Sequence, residues 1–208
     1  MSSVAHKKTL DQAGKEAVAF RGLFDGCFSR WRFAGSLRRQ RSQVGDIEHV
    51  VIPRFTPDPE GLLIHDAHDC NILRRMADRL LRDGTLALHD YGGGNTRNGD
   101  KYMGFDFRGG LHEIFSAAAN FGCILAIRTG SADFSRGLMI RLRDRGYRQC
   151  EGYLWRIVAC DRSGGDDRRL FDDGQCGERV DCPDEDVMLR AAGLNPTDWP
   201  PPRREAAP

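Results

Sequence analysis

The sequence predicts an α+β fold, with a mixed β-sheet and flanking helices in residues 1–118 and a smaller α+β unit in residues 119–208. Two observations lead to this prediction. Up to about residue 116, segments with helical spacing of apolar residues are mixed with short strands rich in aromatic and β-branched residues. Beyond that point two helical segments, a few short strands and a last helix follow. The 208 residues are enough for one or two compact units with a hydrophobic core.

The first helix is predicted from a capping box formed by Thr9 and Gln12. Apolar residues then repeat at helical spacing and give it one buried face: Ala13, Ala17, Phe20, Phe24 and Cys27. A strand that begins at residues 31–34 leads into a Gly-Ser turn, and residues 47–52 form the next strand. The Gly-Ser turn is therefore expected between two strands.

The middle of the chain predicts a second helix and three more strands. Ile72, Met76 and Leu80 share one helical face, and Gly84 follows as a stop signal. The strands are predicted over residues 86–89, 101–107 and 111–115. Together with the earlier strands they complete the sheet of the first unit.

Residues 119–208 predict three helices and several short strands, including one over residues 153–158. An apolar helix over residues 121–128 is interrupted by Thr129-Gly130-Ser131, and a basic helix continues to Arg145. The last helix is predicted to carry Pro183 in its first turn and to stop at Gly193.

Charge is distributed unevenly along the chain, although the net charge is only +1. Residues 30–41 and residues 128–148 are rich in arginine, whereas residues 161–186 are acidic. Arginine binds phosphate oxygens through two parallel hydrogen bonds. The basic helix after Ser131 is therefore a candidate DNA or nucleotide contact, and a solvated amphipathic helix is the alternative.

The sequence gives no indication of a membrane or of an oxidising compartment. No apolar run approaches the length of a membrane span, and no apolar stretch follows the basic residues of the N-terminus. The expectation is a cytoplasmic protein that does not bind membranes. Its seven cysteines include no Cys-x-x-Cys pair, so reduced thiols are expected rather than a structural zinc site. His65, His68 and Cys70 are expected to be surface residues rather than ligands.

The most informative motif is a Gly-Ser turn with two arginines, followed by an acidic strand. Gly35-Ser36-Leu37-Arg38-Arg39 can hold a polyphosphate through backbone amides and arginine. Gly45-Asp46-Ile47-Glu48 places two carboxylates at i and i+2, on one face of a strand. Mg²⁺ is commonly bound by one or two carboxylates together with substrate phosphates. The two segments together indicate transfer of a nucleotidyl group.

This joint pattern resembles the nucleotidyltransferase signature of the family X DNA polymerases, in which a Gly-Ser-x-Arg-Arg turn precedes a Gly-Asp-x-Asp strand at the same interval. In that family a third acid lies on a strand before a helix that ends in a Thr-Gly-Ser break, and Glu113 has this position here. Asp106 on the neighbouring strand is the rival candidate, but it lies too far from Thr129. The last helix and the Pro-rich tail resemble the end of the family's thumb domain.

The resemblance implies a minimal polymerase, with a palm domain in residues 1–118 and a thumb domain in residues 119–208. Such an enzyme adds deoxynucleotides to a DNA primer 3′-hydroxyl by two-metal nucleotidyl transfer, in gap-filling repair or viral replication. Asp46, Glu48 and Glu113 would be its catalytic residues and the ligands of two Mg²⁺ ions, with Mn²⁺ as a substitute. Its partners would be a dNTP and a primer-template or gapped DNA, and it would act as a monomer.

The same resemblance implies further contact residues, and the chain differs from the family's usual residues at some positions. Nucleotide contacts would come from Gly35, Ser36, Arg39, Gly45, Thr129 and Gly130, and DNA contacts from Arg128, Arg136 and Arg141. Glutamate replaces the usual aspartate at positions 48 and 113, and Leu111 stands where the family often has arginine.

Two other functions share parts of this pattern. A template-independent nucleotidyltransferase acting on RNA, a protein or a small molecule would have the Gly-Ser and Asp-x-Glu core without needing a thumb. A catalytically decayed palm domain that binds DNA would keep the arginines and tolerate altered metal ligands. Metal-dependent nucleotide binding would separate the decayed protein from both kinds of enzyme.

Overall fold

The computed structural model of the chain describes residues 7–56, 70–160 and 167–208. The chain divides into two compact units, and the boundary follows Ala117. Each unit contains helices and a β-sheet, which confirms the predicted α+β fold class. None of the described helices combines the length and the hydrophobicity that are needed to cross a membrane.

The first unit is built around a five-stranded mixed sheet. Its helices are α1 (Leu10–Gly22), α2 (Gly35–Arg38) and α3 (Ile72–Arg82). Its strands are β1 (Lys8–Thr9), β2 (Phe28–Phe33), β3 (Gln43–Val44), β4 (Ile47–Pro53), β5 (Phe55–Thr56), β6 (Cys70–Asn71), β7 (Ala87–Leu88), β8 (Tyr102–Phe107) and β9 (Gly110–Ser116). The sheet has the order β2-β4-β9-β8-β7, in which β4 and β9 are parallel and the other neighbours antiparallel.

Helix α1 begins at the predicted capping box, where the side chains of Thr9 and Gln12 each accept the other's backbone N–H. The helix ends at Gly22, so Phe24 and Cys27 are buried from the turns that follow it. One face of the sheet packs against α1 and α3 in a cluster that includes Phe20, Phe24, Trp31, Val51, Leu73, Ala77, Met103, Phe105 and Ile114. The opposite face of the sheet is therefore where polar groups can collect.

The strand register decides which acids lie on that opposite face. Glu48 on β4 lies directly beside Glu113 on β9, and Glu113 lies directly opposite Gly104 on β8. The β8–β9 hairpin turns through Arg108 and Gly109, both with positive φ (50° and 73°), as a tight two-residue turn requires. Because the turn fixes the register, it also fixes the position of Glu113.

A chain of buried polar side chains crosses the core between the sheet and α1. Trp31 Nε1–H donates to His49 Nδ1 (3.1 Å), so this nitrogen carries no proton. Neutral His49 then donates from Nε2 to His112 Nδ1 (3.1 Å), and His112 donates from Nε2 to Glu16 Oε1 (3.0 Å). Glu16 forms an ion pair with Lys8. The hydrogen bonds run in one direction and join β2, β4, β9 and α1.

The buried histidine pair predicts a loss of stability in mild acid. Burial lowers the pKa of His112 from 6.5 to about 4; Glu16 opposes this shift and Lys8 adds to it. Burial and the His112 ring lower the pKa of His49 as well. Between the two His112 values the folded state binds fewer protons than the unfolded state, so stability is complete above about pH 6.5 and falls as the pH approaches 4. For His112 this corresponds to about 3 kcal/mol.

Urea unfolding at about pH 7 and about pH 4.5 measures this loss. The variant His112→Gln keeps a donor and an acceptor but cannot take up a proton. It should therefore remove the part of the difference that comes from His112, while the part that comes from burial of His49 remains. Equal unfolding free energies of the unsubstituted chain at both pH values would contradict the prediction.

The second unit begins at Ala118 and contains three helices and a four-stranded antiparallel sheet among its described residues. The helices are α4 (Phe121–Thr129), α5 (Ala132–Asp144) and α6 (Glu185–Ala191), and single 3₁₀ turns span Pro196–Asp198 and Pro201–Arg203. The strands β10 (Tyr147–Cys150), β11 (Tyr153–Val158), β12 (Arg168–Leu170) and β13 (Cys176–Val180) have the order β10-β11-β13-β12. Asp184 is the N-cap of α6, so Pro183 precedes this helix instead of entering its first turn.

The expectation of reduced thiols is wrong for one pair of cysteines. Cys160 and Cys176 form a disulfide, with their Cα atoms 5.2 Å apart. Cys176 lies opposite Val158 in the pairing of β11 with β13, and this pairing brings Cys160 within reach. Cysteine number and spacing contain no information on such a long-range pairing. His65 and His68, expected to be surface residues, lie outside the described residues, and the side chain of Cys70 is likewise not described.

Candidate active site

Three carboxylates meet on the polar face of the first unit's sheet. Asp46 immediately precedes β4 and is exposed, Glu48 is half-buried in β4, and Glu113 in β9 is 7% exposed. One carboxylate oxygen from each residue lies within 4.8 Å of the other two. Only oxygen donors converge here, and oxygen is the ligand type that Mg²⁺ prefers. The structure thus brings together the three acids that the sequence analysis singled out as ligands.

Gly35 joins the Gly-Ser turn to this acidic cluster. Its φ is +59°, and a Cβ at this position would overlap the Glu48 carboxylate. The backbone N–H of Ala34 also donates to the Glu48 carbonyl oxygen (2.9 Å). Glycine is required here for its conformation and for its lack of a side chain. The space above Gly35 accommodates the longer side chain of glutamate at position 48.

The Gly-Ser turn forms α2, a single helical turn closed by a hydrogen bond from Arg39 N–H to the Gly35 carbonyl oxygen (3.1 Å). The Ser36 hydroxyl oxygen is buried and has no hydrogen-bond partner within the described residues. A buried hydroxyl without a partner costs free energy unless a ligand completes its hydrogen bonds. Arg39, at the end of this turn, and Gly45, directly before Asp46, are half-buried. The turn therefore has the features of an anion-binding segment.

Two tyrosines that the sequence analysis did not select bind Glu113. The Tyr91 hydroxyl donates to Glu113 Oε1 (2.8 Å), and the Tyr102 hydroxyl donates to the same oxygen. Burial and the hydrogen bond to Glu113 raise the pKa of Tyr102, and burial with hydrogen bonds to Tyr102 and Glu113 raises that of Tyr91. Both hydroxyls therefore remain proton donors at neutral pH.

A sequence signal for these tyrosines exists in the β8–β9 hairpin. Its tight turn places Gly104 opposite Glu113, and a Cβ at position 104 would overlap the end of the Tyr91 side chain. Glycine inside a strand often marks the close approach of another group. Tyr102 is two residues from Gly104 and so lies on the same face. The loop that brings in Tyr91 could not be derived from spacing.

Asp106, the rival third acid, lies outside the carboxylate cluster. It is exposed on β8 opposite Leu111, and its carboxylate pairs with His89 Nδ1 at 2.7 Å. Asp106 is on the same face as Gly104, but two residues along a strand amount to about 7 Å.

The other predicted contact residues belong to the second unit. Thr129 is buried at the end of α4, and Gly130 is the residue that follows it before α5. Ser131 caps α5 by accepting the N–H of Phe134 (3.1 Å), and its hydroxyl donates to the Glu205 carbonyl oxygen (2.8 Å). The break between the two helices is thus held by the C-terminal segment.

The predicted DNA-contacting arginines are all exposed on α4 and α5. Arg136 pairs with Asp133 at 3.1 Å, and Arg141 donates to the Pro208 carbonyl oxygen at 3.1 Å. Arg136 also lines an open groove with Arg143 and Arg148. Each of these three arginines has an acidic partner, because Arg143 also pairs with Asp144 at 3.7 Å and Arg148 with Asp173 at 2.7 Å.

Comparison with known proteins shows the fold of the chain. No family model and no curated protein matches it. Among solved structures it is similar to polymerase beta from Leishmania infantum, crystallised as a ternary primer/template complex. The TM-score is 0.66 at 14% sequence identity, and the alignment covers 97% of this chain and 78% of that chain. The chain therefore has a polymerase beta-like fold.

Proposed function

We propose that the chain is a DNA polymerase of the family X type, which adds deoxynucleotides to the 3′-hydroxyl of a DNA primer. The observation that carries this proposal is the meeting of Asp46, Glu48 and Glu113 beside the Gly-Ser turn. A turn that can hold phosphate and a cluster that can hold divalent cations are the two requirements of nucleotidyl transfer. The likeness of fold to a polymerase crystallised with primer and template supports the choice of substrate.

The three carboxylates would hold two Mg²⁺ ions, for which Mn²⁺ is a substitute. The cluster fits such ions, since its donors are all oxygens and Asp46 presents its carboxylate on an exposed side chain. Bound ions would lower the pKa of the primer hydroxyl and neutralise charge on the leaving pyrophosphate. Residues 1–118 would then serve as the palm and residues 119–208 as the thumb.

The Gly-Ser turn would orient the triphosphate. The Ser36 hydroxyl would complete its missing hydrogen bond with a phosphate oxygen. Backbone N–H groups near Gly35 and Gly45 would add donors, and Arg39 would add a positive charge. Thr129 and Gly130 remain proposed contacts of the sugar, and Arg128, Arg136 and Arg141 remain proposed contacts of DNA.

Primer extension tests the proposal directly. A labelled primer on a template, the four dNTPs and Mg²⁺ or Mn²⁺ should give extended products, and chelation of the metal should abolish them. Parallel reactions with NTPs and with single-stranded primer would separate a template-dependent DNA polymerase from a template-independent enzyme. Absence of transfer with every metal and nucleotide, together with retained DNA binding, would favour the decayed palm domain instead.

The variant Arg39→Ala tests the triphosphate contact. We expect the KM for dNTP to rise by about tenfold or more, because a charge-assisted hydrogen bond to phosphate is worth about 1.5–3 kcal/mol. Affinity for the primer-template should change little. Steady-state extension and a gel-shift titration measure the two quantities. Arg41→Ala, an exposed arginine two residues away, is the matched control; a loss of DNA affinity with an unchanged KM in Arg39→Ala would assign Arg39 to DNA binding.

A further inference from the structure

The third carboxylate of the cluster is held by a group of side chains that sequence motifs did not indicate. Tyr91 and Tyr102 both donate to Glu113 Oε1, and their hydroxyl oxygens are 2.9 Å apart. Glu113 is 7% exposed, so few water molecules can replace these donors. A carboxylate has lone pairs on two oxygens. Both hydroxyls bond the same oxygen, Oε1, and a cation would bind the carboxylate through Oε2.

The fold makes room for this arrangement at specific positions. Gly104 leaves the space that the Tyr91 side chain occupies over β8. The loop that supplies Tyr91 is closed by a hydrogen bond from its N–H to the Asn95 carbonyl oxygen (2.9 Å). The Asp90 carboxylate accepts the N–H groups of Gly92 (2.8 Å) and Gly94 (3.0 Å). Tyr91 is therefore presented to Glu113 by a loop with its own hydrogen bonds.

Arg97 brings a positive charge to the same group. Its guanidinium carbon lies 4.5 Å from the ring centroid of Tyr91 and 4.8 Å from that of Tyr102. Stacking on two rings fixes both tyrosines, and the charge favours their hydrogen bonds to an anion. Leu111, which stands on the same strand where family X polymerases often have arginine, provides no such positive charge.

We propose that Tyr91 and Tyr102, with Arg97 stacked on their rings, are positioning residues that hold Glu113 in one orientation for metal binding. This inference rests on the proposed function for its catalytic consequence. Glu113 has one more rotatable bond than the aspartate usual in family X polymerases, and side-chain ordering costs free energy. The two hydroxyls order the Glu113 side chain before the cation binds, so cation binding itself loses less conformational entropy. Partners of metal ligands typically change metal affinity by 10–100-fold when removed.

The variants Tyr91→Phe and Tyr102→Phe remove the hydroxyls and keep the rings that Arg97 contacts. We expect each to weaken Mn²⁺ binding by about tenfold, measured by electron paramagnetic resonance or calorimetry without nucleotide. In primer extension, kcat should fall by a similar factor, while the KM for dNTP stays within about twofold, because Ser36 and Arg39 are untouched. The unfolding temperature should stay within a few degrees of the unsubstituted chain.

Tyr147→Phe, in β10 of the second unit, is the matched control and should change neither quantity. Unchanged Mn²⁺ affinity in both tyrosine variants, with an unsubstituted chain that binds Mn²⁺, would overturn the inference. The metal-binding measurement is independent of catalysis. If the unsubstituted chain bound Mn²⁺ but transferred no nucleotide, the proposed function would fail and the binding data alone would decide the role of the tyrosines. An unsubstituted chain that binds no Mn²⁺ would refute both.

Discussion

Replacing Asp46 by asparagine is expected to reduce nucleotidyl transfer by more than about a thousandfold, with little effect on folding. Asp46 is the exposed member of the carboxylate cluster, so asparagine should not disturb packing. Its loss removes a negative charge at the point where the cluster opens to solvent. Removal of one group that stabilises developing charge typically costs about 10²–10³ in rate, and a ligand shared by two ions should cost more. Single-turnover primer extension measures the effect.

Asp25→Asn is the matched control for this prediction, because Asp25 is also an exposed aspartate of the first unit. It should have full activity. Circular dichroism and thermal unfolding should be the same for both variants. Extension by Asp46→Asn within about tenfold of the unsubstituted rate would exclude the proposed active site, because bridging ligands are not dispensable in two-metal transfer.

The variant Glu113→Gln is expected to lower kcat by about a hundredfold or more while the KM for dNTP stays nearly constant. Glutamine keeps an oxygen that can accept from Tyr91 and Tyr102, so the local structure should persist. The charge that would bind the cation on the primer side is lost. In the proposed mechanism Asp46 and Glu48 would also hold the ion that binds the nucleotide, whereas Glu113 would hold only the ion at the primer hydroxyl, so dNTP binding should change little. Steady-state kinetics at saturating metal separate the two parameters.

Asp106→Asn is the control that the fold itself provides, since Asp106 lies on the same face of the sheet two residues from Gly104. It should leave activity nearly unchanged, because its carboxylate pairs with His89 outside the cluster. An active Glu113→Gln together with an inactive Asp106→Asn would move the third ligand to Asp106. Full activity in both variants would contradict the two-metal model for this chain.

The two glutamates of the cluster are matched to their surroundings. Glu48 extends over Gly35, where no side chain competes for the space, and Glu113 reaches the hydroxyls of two tyrosines. Aspartate at either position would withdraw the carboxylate by about one bond length. We therefore expect the variant Glu113→Asp to be no more active than the unsubstituted chain, although aspartate is the usual residue in family X polymerases. The two glutamates thus supply carboxylate oxygens, as the aspartates usual in family X polymerases would, but from longer side chains that these surroundings accommodate.

Much of the first unit could be predicted from local sequence patterns. The capping box at Thr9, the periodicity of α3 and the strand after Asp46 depend on neighbouring residues, and each lies where it was expected. These local signals act over a few residues, and tertiary contacts in this protein reinforce them. Glu113 was singled out instead by the resemblance to the family X polymerases, in which a third acid lies on a strand before the Thr-Gly-Ser break.

The remaining features depend on contacts between distant residues. Tyr91 reaches Glu113 through a loop whose conformation no spacing rule gives, and Arg97 stacks on two rings from yet another segment. His49 and His112 bond each other across 63 residues, and the Cys160–Cys176 disulfide depends on the pairing of β11 with β13. Helix ends were also misplaced near Gly22 and Pro183, where turns continue the chain.

The alternation along β4 and β9 has a consequence for folding fidelity. Each strand carries an acid beside a buried histidine, Glu48–His49 and His112–Glu113. A one-residue slip of either strand would turn its carboxylate into the aromatic core and its imidazole outward. Burial of an unpaired carboxylate is costly enough to disfavour such an alignment. The acids thus discriminate against misaligned chains before any substrate is present. Inactive variants made with leucine at 48 and 113 should lose this discrimination and aggregate more during refolding than variants made with glutamine.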